Sequence, residues 1–342
     1  MAAGYRVGVL GATGAVGSTI LGVLAERRFP ASELVPFASE RSAGREVEWN
    51  GSVLECRALT PETIQGLDVV LSSAGGAVSA EWAPKLVEAG AVVVDNTSYW
   101  RMHEDVPLVV AGVNSDAATG HKGIVANPNC TTMVAMMALA PIHRAVGLER
   151  IVLSSYQAVS GTGQRAIEEL LTQSRAILAG EEPPAPSVYP HRIAFNVLPQ
   201  VEAFEDGDDY TTEERKVMAE TRKILGAGEE LAISATCARV PVVSGHSESI
   251  NVRTAEDLSP GDCRALLGEA PGVVVVDDPA AGRYPMAIDA AGRDQVLVGR
   301  VRRDPGEERT LNLWVAGDNL RKGAATNAVQ VAELLVERGL LR

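Results

Sequence analysis

Cys130 stands in the run Asn127-Pro128-Asn129-Cys130-Thr131-Thr132, between a strand-like stretch, Gly123 to Ala126, and a helical run, Thr131 to Leu139. That order puts the thiol at or beside a helix N-terminus. Unpaired amides and partial positive charge there favour a thiolate and can hold the oxyanion formed when a nucleophile attacks a carbonyl. The run by itself suits an acyl-transfer nucleophile or a buried structural cysteine.

A second chemical feature lies near the start. Gly11-Ala12-Thr13-Gly14-Ala15-Val16-Gly17 follows an apolar strand-like run and opens a helical one. That is the context of a dinucleotide-binding turn, with Gly11, Thr13, Gly14, Ala15, Val16 and Gly17 around the pyrophosphate. The spacing is G-x-x-G-x-x-G, which a plain tight turn also fits. Ser39-Glu40-Arg41-Ser42 follows the second strand-like run. Glu40 could hold an NAD ribose, whereas Arg41 between Ser39 and Ser42 suits the 2′-phosphate of NADP. Ser73, Ala74 and Gly75 end another strand, where small residues let a nicotinamide approach backbone.

The elements that must position these residues fall into two textures. Up to about residue 129, buried strands at Tyr5 to Leu10, Leu34 to Ser39, Asp68 to Ala74 and Ala91 to Asn96 alternate with helices at Ser18 to Arg28 and Ser79 to Ala89. That alternation predicts a parallel sheet between helices. From Ile151 the strands lengthen: Ile151 to Val159, Leu231 to Val240, Ser249 to Thr254, Gln295 to Arg302 and Thr310 to Ala316. Helices at about 163–179, 212–225 and 259–269 punctuate them, and Arg321 to Arg338 reads as one long helix that could return to the first domain. The expected fold class is α/β: an N-terminal Rossmann-type dinucleotide-binding domain, 1–129 plus 320–342, and a second α+β domain on a mixed or antiparallel sheet, 130–319.

Composition narrows the partners. With 31 basic and 44 acidic side chains, the chain of 342 residues carries a formal charge of −13, which disfavours nucleic acid and anionic membranes. Cys56, Cys130, Cys237 and Cys263 form no metal-ligand spacing, so neither zinc nor a disulfide framework is expected. No apolar run approaches the ~18 residues of a membrane span. Met1-Ala2-Ala3-Gly4-Tyr5 lacks the basic start of an export leader, so a cytoplasmic protein is expected.

Six runs in chain order resemble the aspartate-β-semialdehyde dehydrogenases over essentially the whole chain. They are Gly11 to Gly17; Arg101-Met102 before Val106-Pro107-Leu108-Val109-Val110; Asn127 to Thr132; Tyr156-Gln157-Ala158-Val159-Ser160-Gly161; Glu213-Glu214-Arg215-Lys216; and Arg239-Val240-Pro241-Val242-Val243-Ser244-Gly245-His246. The resemblance implies that Cys130 is the acylated nucleophile, Gln157 orients the intermediate and His246 is the general acid-base. It implies that Arg239 binds the substrate α-carboxylate, Glu213 the α-ammonium, and Arg101 with Lys216 the phosphate. Ser160, Gly161 and Asn319 are placed with the cofactor, NADP, and a homodimer formed through the second domain is expected.

Local patterns bear on these roles. Thr211-Thr212-Glu213-Glu214 contains a capping box for a helix beginning near Thr212. One turn apart on it, Glu213 and Lys216 are expected to reach one pocket. Gly245 allows a sharp turn just before His246, and strand ends would project Arg239 and His246 toward one site. The nearest alternative is N-acetyl-γ-glutamyl-phosphate reductase, whose substrate lacks a free ammonium, so Glu213 discriminates. A non-catalytic NADP sensor would not need Cys130, Gln157, Arg239 and His246 together.

Overall fold

The computed structural model describes residues 4–341; the reading of Met1-Ala2-Ala3 lies outside them. The chain forms two compact units, one running to Asn129 and resuming at Ala324, the other spanning Cys130–Gly323.

In the first unit, strand β1 (Tyr5–Leu10) leads through the glycine turn into helix α1 (Ala15–Glu26) and then β2 (Ala31–Phe37). A hairpin of β3 (Glu46–Trp49) and β4 (Ser52–Glu55) follows, then β5 (Val69–Ser72), α2 (Gly76–Glu88), β6 (Val92–Asp95) and β7 (Ile124–Ala126). The five sheet strands run parallel in the order β2-β1-β5-β6-β7. The order reverses between β1 and β5, and ligands of such sheets lie beyond the strand ends at that crevice. Val7 and Val9 pack into one core with Ile20 and Leu24 of α1, while Leu10, Val70 and Val93 pack into another with Leu86 of α2. Burial on both faces explains the unbroken Val/Leu runs.

Several boundaries differ from the pattern-based ones; β2, for one, covers Ala31–Phe37 rather than Leu34 to Ser39. Helices α1 and α2 begin three residues before Ser18 and Ser79, because each opens directly from a glycine loop. The β3–β4 hairpin, absent from the sequence reading, turns on Asn50 and Gly51, with φ of 48° and 75°; Asn-Gly is a favoured hairpin turn.

The second unit starts with α3 (Cys130–Val146), followed by β8 (Leu148–Gln157), α4 (Gln164–Leu178), α5 (Thr212–Leu225), β9 (Ala232–Arg239) and β10 (His246–Thr254). It continues through α6 (Pro260–Gly268), β11 (Val273–Val275), α7 (Ala287–Ala290), β12 (Val296–Arg303) and β13 (Thr310–Gly317). The sheet order is β11-β12-β13-β10-β8-β9, with β8–β9 and β11–β12 parallel and the other pairs antiparallel. The sheet is therefore mixed, the first of the two forms the strands allowed. Helix α3 is apolar around its circumference, with Met133, Val134, Met136 and Leu139 all buried. It packs on this sheet and against α5.

The buried faces of three adjacent strands share one feature. Along β8, Ile151 and Leu153 give way to Ser155 and Gln157; along β10, Val252 and Ile250 give way to Glu248 and His246; along β9, Ala235 gives way to Cys237 and Arg239. Glu248 pairs with Ser155 and Ser155 with Cys237, and Gln157 pairs with Arg239. The three polar ends thus lie together at one edge of an otherwise apolar sheet face. Beyond β13, a π-helical turn, Arg321–Ala325, leads into α8 (Thr326–Glu337), whose Val329 and Leu335 join the first unit's core.

Candidate active site

In the first unit, the residues expected at the pyrophosphate gather at the crevice between β1 and β5. Gly11 has φ of +78°, and a side chain there would meet the Ser73 carbonyl oxygen at 3.0 Å. A side chain on Gly17 would lie 2.0 Å from the Gly11 carbonyl oxygen, so only glycine lets helix α1 start this close to the turn. Thr13 and Gly14 are exposed, and neither α1 nor α2 has a side-chain cap at its N-terminus. Both helices therefore keep amides available to an anion. Ser73 holds the two loops together, donating from its amide and its hydroxyl to the Leu10 carbonyl at 3.0 and 3.1 Å. Ser39 precedes a short 3-10 turn, Glu40–Ser42, without a side-chain bond to it, and Arg41 in that turn is exposed. This donor set fits a dinucleotide.

Arg101 also belongs to this unit. It is buried, donating from Nε to the Asn127 carbonyl at 3.0 Å and from Nη2 to the Asn96 carbonyl at 2.9 Å. Asn127 is itself fixed by Asn327, whose Nδ2 donates to Asn127 Oδ1 at 2.6 Å. The segment leading to Cys130 is thereby pinned in place.

In the second unit, Cys130 opens α3, and its Sγ lies 3.3 Å from His246 Nε2. His246 is fully buried, and its other ring nitrogen, Nδ1, accepts the Ala158 backbone N–H at 3.1 Å. Burial, then the positive charge of Arg239, holds the imidazole well below its ordinary pKa. Gln157 Nε2 donates to Glu213 Oε1 at 3.0 Å and to Ser155 Oγ at 3.2 Å. Arg239 donates from Nη1 to the Ala158 carbonyl at 2.8 Å, while its buried Nε has no acceptor among the described residues. A buried guanidinium with an unused donor suits an anionic ligand. Cys130, His246, Gln157, Glu213 and Arg239 are thus linked through a few short contacts, although the first two lie 116 positions apart.

Other expected residues sit differently. Lys216 shares its helix with Glu213, but its Nζ is paired with Glu202 at 2.5 Å, while Glu213 is buried beside Gln157. In the structure the two side chains are held by different partners. Ser160 and Asn319 are buried and bonded to each other at 2.9 Å, and Asn319 Oδ1 accepts the Gly245 N–H at 3.0 Å. They brace the turn before His246. Gly161 lines the same spot: a side chain there would meet Arg239 Nη1 at 3.0 Å and His246 Cε1 at 3.3 Å.

Four further residues escaped the sequence reading. Ala158 contributes only backbone atoms, which no side-chain pattern reveals. Gly323 clears space for the nucleophile, since a side chain there would lie 3.1 Å from Cys130 Cβ. Glu202 reaches Lys216 from a loop, and Glu248 is buried two residues along β10 from His246. The polar break along β10 was the available signal for Glu248. By contrast, Cys56, Cys237 and Cys263 are buried and burial pushes each thiol up, Cys263 to about 12, which keeps them protonated and unreactive. Among the described residues no group of His, Cys, Asp and Glu could hold a metal ion.

The family model described as "Semialdehyde dehydrogenase, NAD binding domain" matches residues 6–121, and "Semialdehyde dehydrogenase, dimerisation domain" matches residues 139–322. The aspartate-semialdehyde dehydrogenase of Aquifex aeolicus is 52% identical over 342 residues, 99% of this chain and 100% of its own. A crystal structure of aspartate semialdehyde dehydrogenase II complexed with ASA from Vibrio cholerae aligns with a TM-score of 0.93 at 43% identity, covering 98% of each chain. The structure of the Candida albicans aspartate semialdehyde dehydrogenase with NADP aligns with a TM-score of 0.74 at 25% identity, covering 98% of this chain and 99% of its own. Full-length identity of this depth, on a dinucleotide-binding unit followed by a mixed-sheet unit, establishes that the chain belongs to the aspartate-semialdehyde dehydrogenase family.

Proposed function

We propose that the protein interconverts β-aspartyl phosphate and aspartate semialdehyde through a thioester on Cys130, with NADPH as reductant. This is a step in the biosynthesis of lysine, threonine, methionine and diaminopimelate. The observation that carries the reading is the 3.3 Å contact between Cys130 Sγ and His246 Nε2 at the start of α3, in a unit that also buries the Glu213 carboxylate and the Arg239 guanidinium. An amino-acid acyl phosphate presents one cation and two anions. Glu213 meets the ammonium and Arg239 the carboxylate, whereas Arg101 and Lys216 serve the phosphate, Lys216 after leaving Glu202.

Helix α3 favours the thiolate through its N-terminal amides, and those amides hold the oxyanion as the acyl group is attacked. Gln157, fixed by Glu213 and Ser155, orients the acyl carbon against the sulfur. When bound, the nicotinamide would supply the hydride that reduces the thioester. In the first unit, the loop at Gly11–Gly17 and the Ser73–Gly75 turn hold the dinucleotide, and exposed Arg41 between Ser39 and Ser42 selects the 2′-phosphate. Ser160, Gly161 and Asn319 are assigned to cofactor binding as well. The match to a dimerisation domain supports a homodimer through this unit. A cytoplasmic small-molecule enzyme agrees with the acidic surface, and no helix among the described residues is long and apolar enough to cross a membrane.

Cys130→Ala tests the mechanism. Phosphate-dependent reduction of NADP by aspartate semialdehyde should fall below detection, while NADPH still binds with near-native affinity by fluorescence titration. Retained turnover would overturn it.

A further inference from the structure

The loop before α5 directs one carboxylate at the helix. Lys216 Nζ donates to Glu202 Oε1 at 2.6 Å and to Oε2 at 2.5 Å, and the Thr212 hydroxyl donates to Oε2 at 2.7 Å. Thr212 and Lys216 are four positions apart on α5 and so share a face. An ammonium and a hydroxyl from that face thus converge on a single oxyanion. The same pair of donors suits the oxygens of a phosphate. The other charged side chains of this helix turn are engaged elsewhere, Glu213 by Gln157 and Arg215 by Asp208.

The backbone that carries this carboxylate is strained. Glu202 has φ of +64°, in the left-handed region that disfavours residues with a side chain, and Gln200 Nε2 donates to its carbonyl at 2.9 Å. The rest of the loop is tied to α5 independently. The Thr212 amide donates to the Ala203 carbonyl at 2.9 Å, Phe204 bridges to Thr211, and Arg215 Nε donates to Asp208 Oδ2 at 2.6 Å. Fastening the loop therefore does not account for the strained residue that aims at Lys216. Those ties also let the Glu202 side chain swing away by rotation about its own bonds while the loop stays in place.

We propose that Glu202 is an internal stand-in for phosphate: it occupies Lys216 and Thr212 when no phosphate is bound, yields to the phosphate of the substrate, and returns as phosphate leaves. The proposal rests on the reading that Lys216 serves the phosphate, and it makes Glu202 the residue that sets phosphate affinity. Lys216 is open to a ligand only in the fraction of molecules whose Glu202 has swung away, and the apparent affinity is reduced by that fraction. The exchange runs both ways. A phosphate carries more negative charge than a carboxylate and takes the ammonium from it, whereas a carboxylate tethered beside the ammonium competes at high effective concentration and helps the product phosphate depart.

The test is the phosphate-dependent reduction of NADP by aspartate semialdehyde, measured on the full-length protein with inorganic phosphate varied. Glu202→Gln removes the charge but keeps an oxygen for Thr212, and Glu202→Gly removes the side chain while suiting the positive φ. Both should lower KM for phosphate by about three- to tenfold, the range for freeing one part-exposed ion pair, with KM for aspartate semialdehyde within about twofold of wild type. An unchanged or raised phosphate KM in both variants overturns the proposal. So does an equal shift in KM for every substrate, which is the mark of a purely structural role. Lys216→Ala separates the two levels: it should raise KM for phosphate by at least about tenfold, and in the double variant Glu202→Gln should then have no further effect. A Glu202→Gln effect that persists without Lys216 overturns the exchange while leaving the phosphate role of Lys216 intact. A phosphate KM unmoved by Lys216→Ala removes that role and the proposal with it.

Discussion

Glu213 concentrates two tasks in one buried carboxylate. Its Oε1 receives the Gln157 amide at 3.0 Å, and that amide is the group proposed to orient the acyl carbon. The same carboxylate is the negative charge proposed to meet the substrate ammonium. Replacing it with an amide keeps the shape but removes the charge, and hydrogen bonds to charged groups contribute about 1.5–3 kcal/mol. Glu213→Gln should therefore raise KM for aspartate semialdehyde by at least about tenfold, with a smaller fall in kcat from loosened Gln157. Steady-state kinetics on the free-amino and N-acetylated substrates check this. Equal wild-type turnover of both would show that the ammonium is not read and would sink the substrate assignment. The neighbouring Lys216 shows how far spacing can mislead at this scale. Residues three apart on a helix are neighbours, yet Lys216 is drawn to Glu202, which lies in a loop fourteen positions away.

Helix α5 shows how an element aims such residues. Thr211 caps it, its side chain accepting the Glu214 amide, while Glu214 Oε2 accepts the Thr211 amide at 2.8 Å. Glu214 Oε1 also accepts the Cys237 amide of β9 at 2.8 Å, so one side chain ties the helix start to the sheet edge that carries Arg239. Thr211→Ala should cost about 1 kcal/mol in chemical denaturation, with Thr211→Ser close to wild type. Glu214→Ala should cost more, about 2–3 kcal/mol, because it also strands a buried strand amide. An equal, small effect of both would remove the helix-to-strand tie from the argument. The capping box was legible because its partners are three residues apart, and the glycine turn and the cysteine run were legible for the same reason. The polar break in the buried alternation of β8, β9 and β10 was present in the sequence too, but its meaning depends on strand order. The Ala158–His246 bond, the Lys216–Glu202 pair and the space left by Gly323 join distant residues, so no local period encodes them. The hairpin at Asn50-Gly51 is different: its turn signal is local, but the strands it joins are only four residues long and carry acidic residues.

At the scale of the whole molecule, the site is held at a cost in stability that should be visible in its pH dependence. Glu248 is fully buried, neither carboxylate oxygen has a partner among the described residues, and burial pushes its carboxyl well above the ordinary 4.5. His246, two residues away, is pushed the other way from 6.5. Above pH 4.5 the unfolded chain releases the Glu248 proton while the folded protein keeps it. The folded state then binds more protons, and its stability falls as pH rises toward the folded pKa. For His246 the unfolded chain gains a proton below pH 6.5 that the folded ring refuses, so that loss grows as pH falls. Glu248→Gln removes the first loss without changing side-chain volume. Its urea midpoint should exceed that of wild type at pH 8, and the gap should close as pH approaches 4.5. A gap that stays constant with pH, or a variant less stable at pH 8, would mean that Glu248 is ionised and partnered in the folded protein. The same titration on His246→Gln should give the mirror image, a gain that appears only below pH 6.5. Two opposite slopes from residues two apart on β10 would locate the stability cost at the polar edge of this sheet, where a buried acid and a buried imidazole lie near the nucleophile.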